Sequence, residues 1–189
     1  MIFLVSHLRP SSGSRAAARH PMTNSASEHE AFMGRALELA ASAYALGEIP
    51  IGAVVVQNGE IVGEGYNRSI IDRDPSAHAE MVAIRQAAQR LANYRLIDCT
   101  LYVTVEPCTM CTGLLVHARI QKLVFGAAEP KAGAVQSAMK IGELSHLNHN
   151  FEVQGGILDT QCAELMSRFF KERRQQHSLL KKSALKQND

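Results

Sequence analysis

Two short segments about thirty residues apart must meet in space, and that requirement constrains the chain more than any other feature. One is His78-Ala79-Glu80; the other is Pro107-Cys108-Thr109-Met110-Cys111. Together they offer one imidazole, two thiols and a carboxylate. A structural zinc site closes its tetrahedron with four protein ligands, whereas a catalytic one leaves a position for water. His78, Cys108 and Cys111 as ligands, with Glu80 left over, point to zinc-activated water with a proton carrier beside it.

The spacing also dictates local structure. Cys108 and Cys111 are three residues apart and so are neighbours on one helical face. At a helix start, free N–H groups and the macrodipole favour thiolate. Pro107 suits that place, because a missing N–H costs nothing there. His78 and Glu80 are two apart, roughly 200° of rotation in a regular helix. They would face nearly opposite ways unless they straddle an irregular helix start. Asp74-Pro75-Ser76 supplies the turn and capping residues for one. The fold must therefore bring two helix N-termini to one ion.

The rest of the chain supplies the scaffold. Phe32, Ala36, Leu39, Ala43 and Leu46 recur at helical spacing, which predicts a helix over 28–46, closed by Gly47 and barred from resuming by Pro50. Strands are expected over 52–57 and 61–66, joined by the hairpin dipeptide Asn58-Gly59. A polar loop over 67–76 leads to a helix from His78 to about Leu91. A β-rich strand over 100–105 runs directly into Glu106-Pro107-Cys108, and the second metal-binding helix continues to about Ala118. Further strands are expected over 122–125 and 151–154. A last helix starts near Asp159, with Cys162, Leu165, Met166 and Phe169 on one face. The stretch 127–148 has no clear period. Strands alternating with helices predict an α/β fold, a three-layer α/β/α sandwich on a mixed five-stranded sheet.

Residues 1–27 contain no acid and are rich in Ser, Ala and Arg, which reads as a disordered extension or as a start assigned upstream of Met22. The expected organisation is this extension, one domain over 28–175 and a basic tail over 176–189. The net charge of +2 excludes a polycation. The charge is uneven, however: Arg168, Lys171, Arg173, Arg174, Lys181, Lys182 and Lys186 are opposed after Arg168 only by Glu172 and Asp189. Such an excess suits phosphates or a solvated helix face equally well. Phe169 and Phe170 are expected to pack the core. Four cysteines are too few for a disulfide scaffold, and Cys99 and Cys162 read as buried packing residues. No apolar run is long enough to cross a membrane as a helix. A Cys-x-x-Cys alone also fits a redox pair, or a structural zinc site closed by His117, His146 or His149.

His-x-Glu followed by Pro-Cys-x-x-Cys resembles the zinc-dependent nucleobase deaminases. The resemblance is closer still to the bacterial tRNA-specific adenosine deaminases. It rests on Ile49 to Val54, Asp74 to Glu80, Tyr94 to Asp98, Thr100 to Cys108, Val124 to Ala127 and Phe169 to Arg174, and covers roughly 29–175. It implies a cytidine-deaminase-like fold, a cytoplasmic homodimer, and conversion of a tRNA wobble adenosine to inosine, usually in an arginine tRNA. It also implies roles. His78, Cys108 and Cys111 hold Zn²⁺; Glu80 shuttles protons; Asn67 bonds the flipped nucleotide; Ile51 lines the base pocket; the Ala79 N–H contacts the purine. Glu129 and Lys131 lie where RNA contacts are expected, although Ala128 replaces an often charged residue.

Two rivals share these motifs. A deaminase of free guanine or cytosine has the same four residues and no need of a basic terminal helix. A silent RNA-binding subunit keeps zinc for structure but has no use for Glu80.

Overall fold

The computed structural model describes residues 25–141, 144 and 146–186. Along them run α1 (Ala26–Ala45), β1 (Gly52–Gln57), β2 (Glu60–Tyr66), α2 (Ala79–Arg90), β3 (Cys99–Val105), α3 (Thr109–Ala118), β4 (Lys122–Ala127), β5 (Glu152–Gln154) and α4 (Asp159–Lys186). The strands form one sheet in the order β2-β1-β3-β4-β5. β1 is antiparallel to β2 and β3, while β3, β4 and β5 are parallel, so the sheet is mixed.

Alternation along the strands builds the layers, because successive side chains point to opposite faces. Val55, Leu101, Val103, Leu123 and Phe125 turn to one face and pack with Ala83, Ile84, Ala87, Leu115 and Ala118 of α2 and α3. Val54, Val56, Tyr102 and Val124 turn to the other and meet Met33, Ala36 and Leu39 of α1 and Cys162 of α4. The expected α/β/α sandwich is thus present. Asn58 and Gly59 both have positive φ, 53° and 80°, the geometry of a type I′ hairpin turn.

The boundaries that differ most from the expectations lie at the two ends. The helix placed at 28–46 starts at Ala26, because Ser25 and Glu28 form a capping box: Ser25 Oγ accepts from the Glu28 N–H, and Glu28 Oε2 accepts from the Ser25 N–H at 2.7 Å. The expectation of a disordered extension lies, over 1–24, outside the described residues. At the other end no break falls after 175, since α4 runs unbroken to Lys186. Its exposed face extends through Ser183, so over 176–186 the expected basic tail is helical. Phe169 is buried as expected, with its ring edge-on to Tyr44, but Phe170 is 40% exposed because it lies on the outer face of α4. Tyr44 also donates from its hydroxyl to Glu172 at 2.5 Å, fastening α4 to α1. Cys99 and Cys162 are buried.

Candidate active site

The start of α2 is irregular in the way the spacing requires. His78 is its N-cap, with extended backbone (φ −75°, ψ 155°), and Glu80 lies in its first turn. That change of backbone conformation lets both side chains address one place. Several polar groups shape the approach. Asp74 Oδ1 accepts from the Ser76 N–H and hydroxyl at 2.8 and 2.7 Å. The buried Glu48 accepts from the Ile70 and Ile71 N–H groups, both at 2.8 Å, and so pins the loop after β2. Asn67, 5% exposed, caps α2: its Oδ1 accepts from the Ala79 N–H at 2.9 Å. The Ala79 N–H, which the resemblance directs at a purine, is thus held by Asn67, while the Asn67 amide NH₂ remains to donate. Ile51 pairs by its carbonyl with the Asn67 N–H, and its half-buried side chain packs against the core at that edge.

The second half sits at the start of α3. Cys108 is the N-cap and Cys111 lies in the first turn, fully buried. His78 Nδ1 lies 3.7 Å from Cys108 Sγ and 3.6 Å from Cys111 Sγ. All three ligand atoms fall within 4.8 Å of one another. A tetrahedral zinc with arms of about 2.3 Å to sulfur and about 2.1 Å to nitrogen would set S and N about 3.6 Å apart. The donor set and its spacing therefore fit that ion. Cys111 and His78 lend hydrogen bonds that hold the Cys108 thiol down at about 3, against the opposing pull of burial. The Cys111 thiol is pushed up by its bond to Cys108 and by burial, and His78 is pushed up chiefly by Cys108. A divalent cation held among these atoms would let both sulfurs ionise.

Glu80 completes the group without joining the ligand triad. It is 3% exposed, and its Oε2 has no hydrogen-bond partner among the described residues. Burial pushes its carboxyl up; its own backbone N–H and His78 oppose this without cancelling it. A buried carboxylate oxygen left unpaired is costly and marks a place where a polar reactant belongs.

Of the other predicted residues, Glu129 is half-buried in the turn after β4, where its carboxylate accepts from the Lys131 N–H at 3.0 Å. Lys131 is exposed. None of His117, His146 and His149 joins the metal-ligand group among the described residues. His117 and His146 are exposed; His149 is half-buried, its Nε2 2.6 Å from the Ile120 carbonyl. Two surface clefts of about 280 and 450 Å³ flank Arg119, at the end of α3 remote from Cys108. Two structural acids escaped the sequence reading, Glu48 and Glu106. Their only signal was an acid one or two residues before a proline, Glu48 before Pro50 and Glu106 before Pro107.

Comparison with known proteins agrees with this geometry. The sequence model of the MafB19-like deaminases matches residues 27–174. The tRNA-specific adenosine deaminase of Haemophilus influenzae is 49% identical over 153 residues, 80% of this chain and 88% of that protein. A solved structure from studies of A-to-I editing by tRNA:A34 deaminases is 41% identical, with a TM-score of 0.70 over 71% of this chain and 98% of its own. Guanine deaminase of Bacillus subtilis is 44% identical, with a TM-score of 0.51 over 53% of this chain and 64% of its own. The fold and the His-Cys-Cys group define a deaminase of the MafB19-like kind. Within that class the chain belongs to the tRNA-specific adenosine deaminase family.

Proposed function

We propose that this protein converts the wobble adenosine of a tRNA anticodon to inosine, releasing ammonia. The observation that carries the reading is the convergence of two helix starts on one triad, with the buried Glu80 carboxyl beside it, one oxygen of which has no partner among the described residues. His78, Cys108 and Cys111 would hold one Zn²⁺ per chain. Zinc held there would lower the pKa of a coordinated water and so supply the nucleophile. Water adds at purine C6, a proton is gained at N1, and ammonia leaves with a further proton. Glu80 receives the proton from water, delivers it to N1 and then serves the departing amine. Its raised affinity for a proton suits a group that must hold and release one.

Asn67 is positioned to do two things at once: its oxygen fixes the start of α2, and its amide NH₂ donates to the nucleotide. Ile51, on the same edge, would bound the base. Ala79 serves mainly through that shared bond. Glu129 and Lys131 would meet the RNA, and the basic outer face of α4 would lie near its phosphates. An anticodon loop makes base extrusion inexpensive, because its bases are not locked in a duplex. The reading includes residues 28–175 as the catalytic domain, a homodimer, an arginine tRNA as substrate and a cytoplasmic setting. No helix among the described residues is long and apolar enough to cross a membrane.

The similarity to guanine deaminase favours one second reading, action on a free base. One assay separates them. Purified protein is incubated with a transcript of the arginine tRNA anticodon stem-loop and, separately, with guanine, cytosine and adenosine. Inosine in the RNA alone is expected. Ammonia from a free base, with the RNA untouched, would overturn the proposal. Zinc bound with no turnover of any substrate would favour a silent subunit.

A further inference from the structure

Glu106 stands between the metal-ligand segment and the loop after β4, and the deamination chemistry makes no use of it. It follows β3 directly, precedes Pro107-Cys108 and is 3% exposed. Its carboxylate accepts from the backbone N–H groups of Glu129 at 3.1 Å, Val135 at 3.1 Å, Gln136 at 2.7 Å and Ser137 at 2.9 Å, and from the Ser137 hydroxyl. A carboxylate offers about four lone-pair sites, so these donors saturate it. The loop from Glu129 to Ser137 is wrapped around one buried charge.

The same wrapping ties the loop to the start of α3. Pairing of β3 with β4 places Val105 opposite Ala127, and the Glu106 N–H donates to the Ala127 carbonyl at 2.9 Å. The Pro107 carbonyl accepts from the Ala134 N–H at 2.9 Å. Gly133 makes the close approach possible: a Cβ there would clash with the Glu106 carboxylate and lie 2.6 Å from the Glu129 carbonyl. Lys131 is exposed on this loop, two residues from the Glu129 N–H that Glu106 holds.

We propose that Glu106 is a positioning residue for RNA recognition. It fixes the loop from Glu129 to Ser137 against the start of α3, so that groups on the loop meet the RNA in register with Cys108 and Cys111. This rests on the tRNA reading and adds to it the residue that couples recognition to the metal centre. The physical gain is preorganisation. A segment with Gly133 and several small residues would otherwise have to be ordered when RNA binds, at a cost in affinity. Loss of the clamp should therefore raise KM for RNA and leave kcat nearly unchanged.

The test uses the full-length zinc-loaded enzyme and the anticodon stem-loop. Turnover by the wild type is established first; its failure would sink the tRNA reading, while amide exchange on the same protein still tests the clamp. Glu106→Gln keeps the volume but turns an NH₂ toward N–H donors. Its zinc content should stay at the wild-type level, and exchange over 129–137 should quicken while that of β3 does not. Its KM should rise about tenfold with kcat changed by less than about threefold, the pattern of lost binding preorganisation. Gly133→Ala keeps the carboxylate and lifts the loop from it, so it should reproduce the KM rise even if Glu106→Gln folds poorly. Wild-type KM in a Gly133→Ala enzyme whose loop exchanges faster would overturn the proposal. So would zinc loss, or a fall in kcat at constant KM, in folded Glu106→Gln, because Glu106 would then serve the metal centre.

Discussion

At the scale of single residues, burial decides what each ionisable group does. Glu80 and Glu106 are both acids on the inner side of the site, each 3% exposed. Glu106 has its oxygens filled by donors, and although burial pushes its carboxyl up, those hydrogen bonds bring it below the usual carboxylate range. Glu80 has one oxygen without a partner among the described residues, and burial raises its carboxyl. One acid is therefore committed to structure and the other is available to reaction. Glu80→Ala should keep one zinc per chain and an unchanged fold, while the deamination rate falls at least about a hundredfold, as expected on losing a positioned proton carrier. Metal analysis and single-turnover kinetics check this, and loss of zinc would make Glu80 a ligand instead. A second titration concerns stability. Burial, then the charge of Lys122, holds His29 below the usual imidazole value, against a smaller opposing effect of Glu28. His29 thus binds a proton more weakly folded than unfolded. Stability is lost as pH falls below about 6.5, where the unfolded chain takes up that proton. The melting temperature of the wild type should drop between pH 7 and pH 5 more steeply than that of His29→Gln. Parallel curves would mean that His29 does not titrate on unfolding.

At the scale of elements, the site exists because two helices on one face of the sheet start beside one another. The need for both starts was legible from the two-residue spacing of His78 and Glu80, which a regular helix forbids. The hairpin at Asn58-Gly59 and the run of three valines in β1 were equally legible, because each signal is local. What stayed hidden depends on partners distant in sequence. Glu48 and Glu106 accept N–H groups more than twenty residues away, and no periodicity announces such bonds. The start of α1 lies at the edge of an acid-free stretch rich in Ser and Ala, and the capping box at Ser25 and Glu28 is what fixes it. Close packing of elements gives the prediction at this scale. A Cβ on Gly65 would lie 2.6 Å from the Ala83 nitrogen of α2, so β2 could not sit where it does. Gly65→Ala should cost about 1–3 kcal/mol as an overpacked contact, and should weaken zinc binding by shifting the helix that carries His78. Gly34→Ala on α1 meets nothing within 4 Å. It should instead stabilise by roughly 0.5–1 kcal/mol, because alanine is the better helix former. Thermal melts of the two variants moving in the same direction would contradict this account of the packing.

At the scale of the whole molecule, the chemistry sits at one end of the parallel strands, where the loops after β3 and β4 lie side by side. In the proposed reading the metal triad would supply reactivity, the loop held by Glu106 register, and the basic outer face of α4 charge. Deaminase chemistry was legible from four residues, whereas the substrate rested on resemblance, since a triad and a glutamate serve any amino-substituted base. The most direct measurement therefore reads the product in its natural setting. An intact tRNA pool from cells lacking inosine is treated with the zinc-loaded protein, reverse-transcribed and sequenced for adenosine read as guanosine. The account predicts conversion confined to the wobble adenosine of an arginine tRNA, abolished by Glu80→Ala. No conversion by an active, zinc-bound enzyme, or conversion scattered over adenosines outside the anticodon, would contradict it.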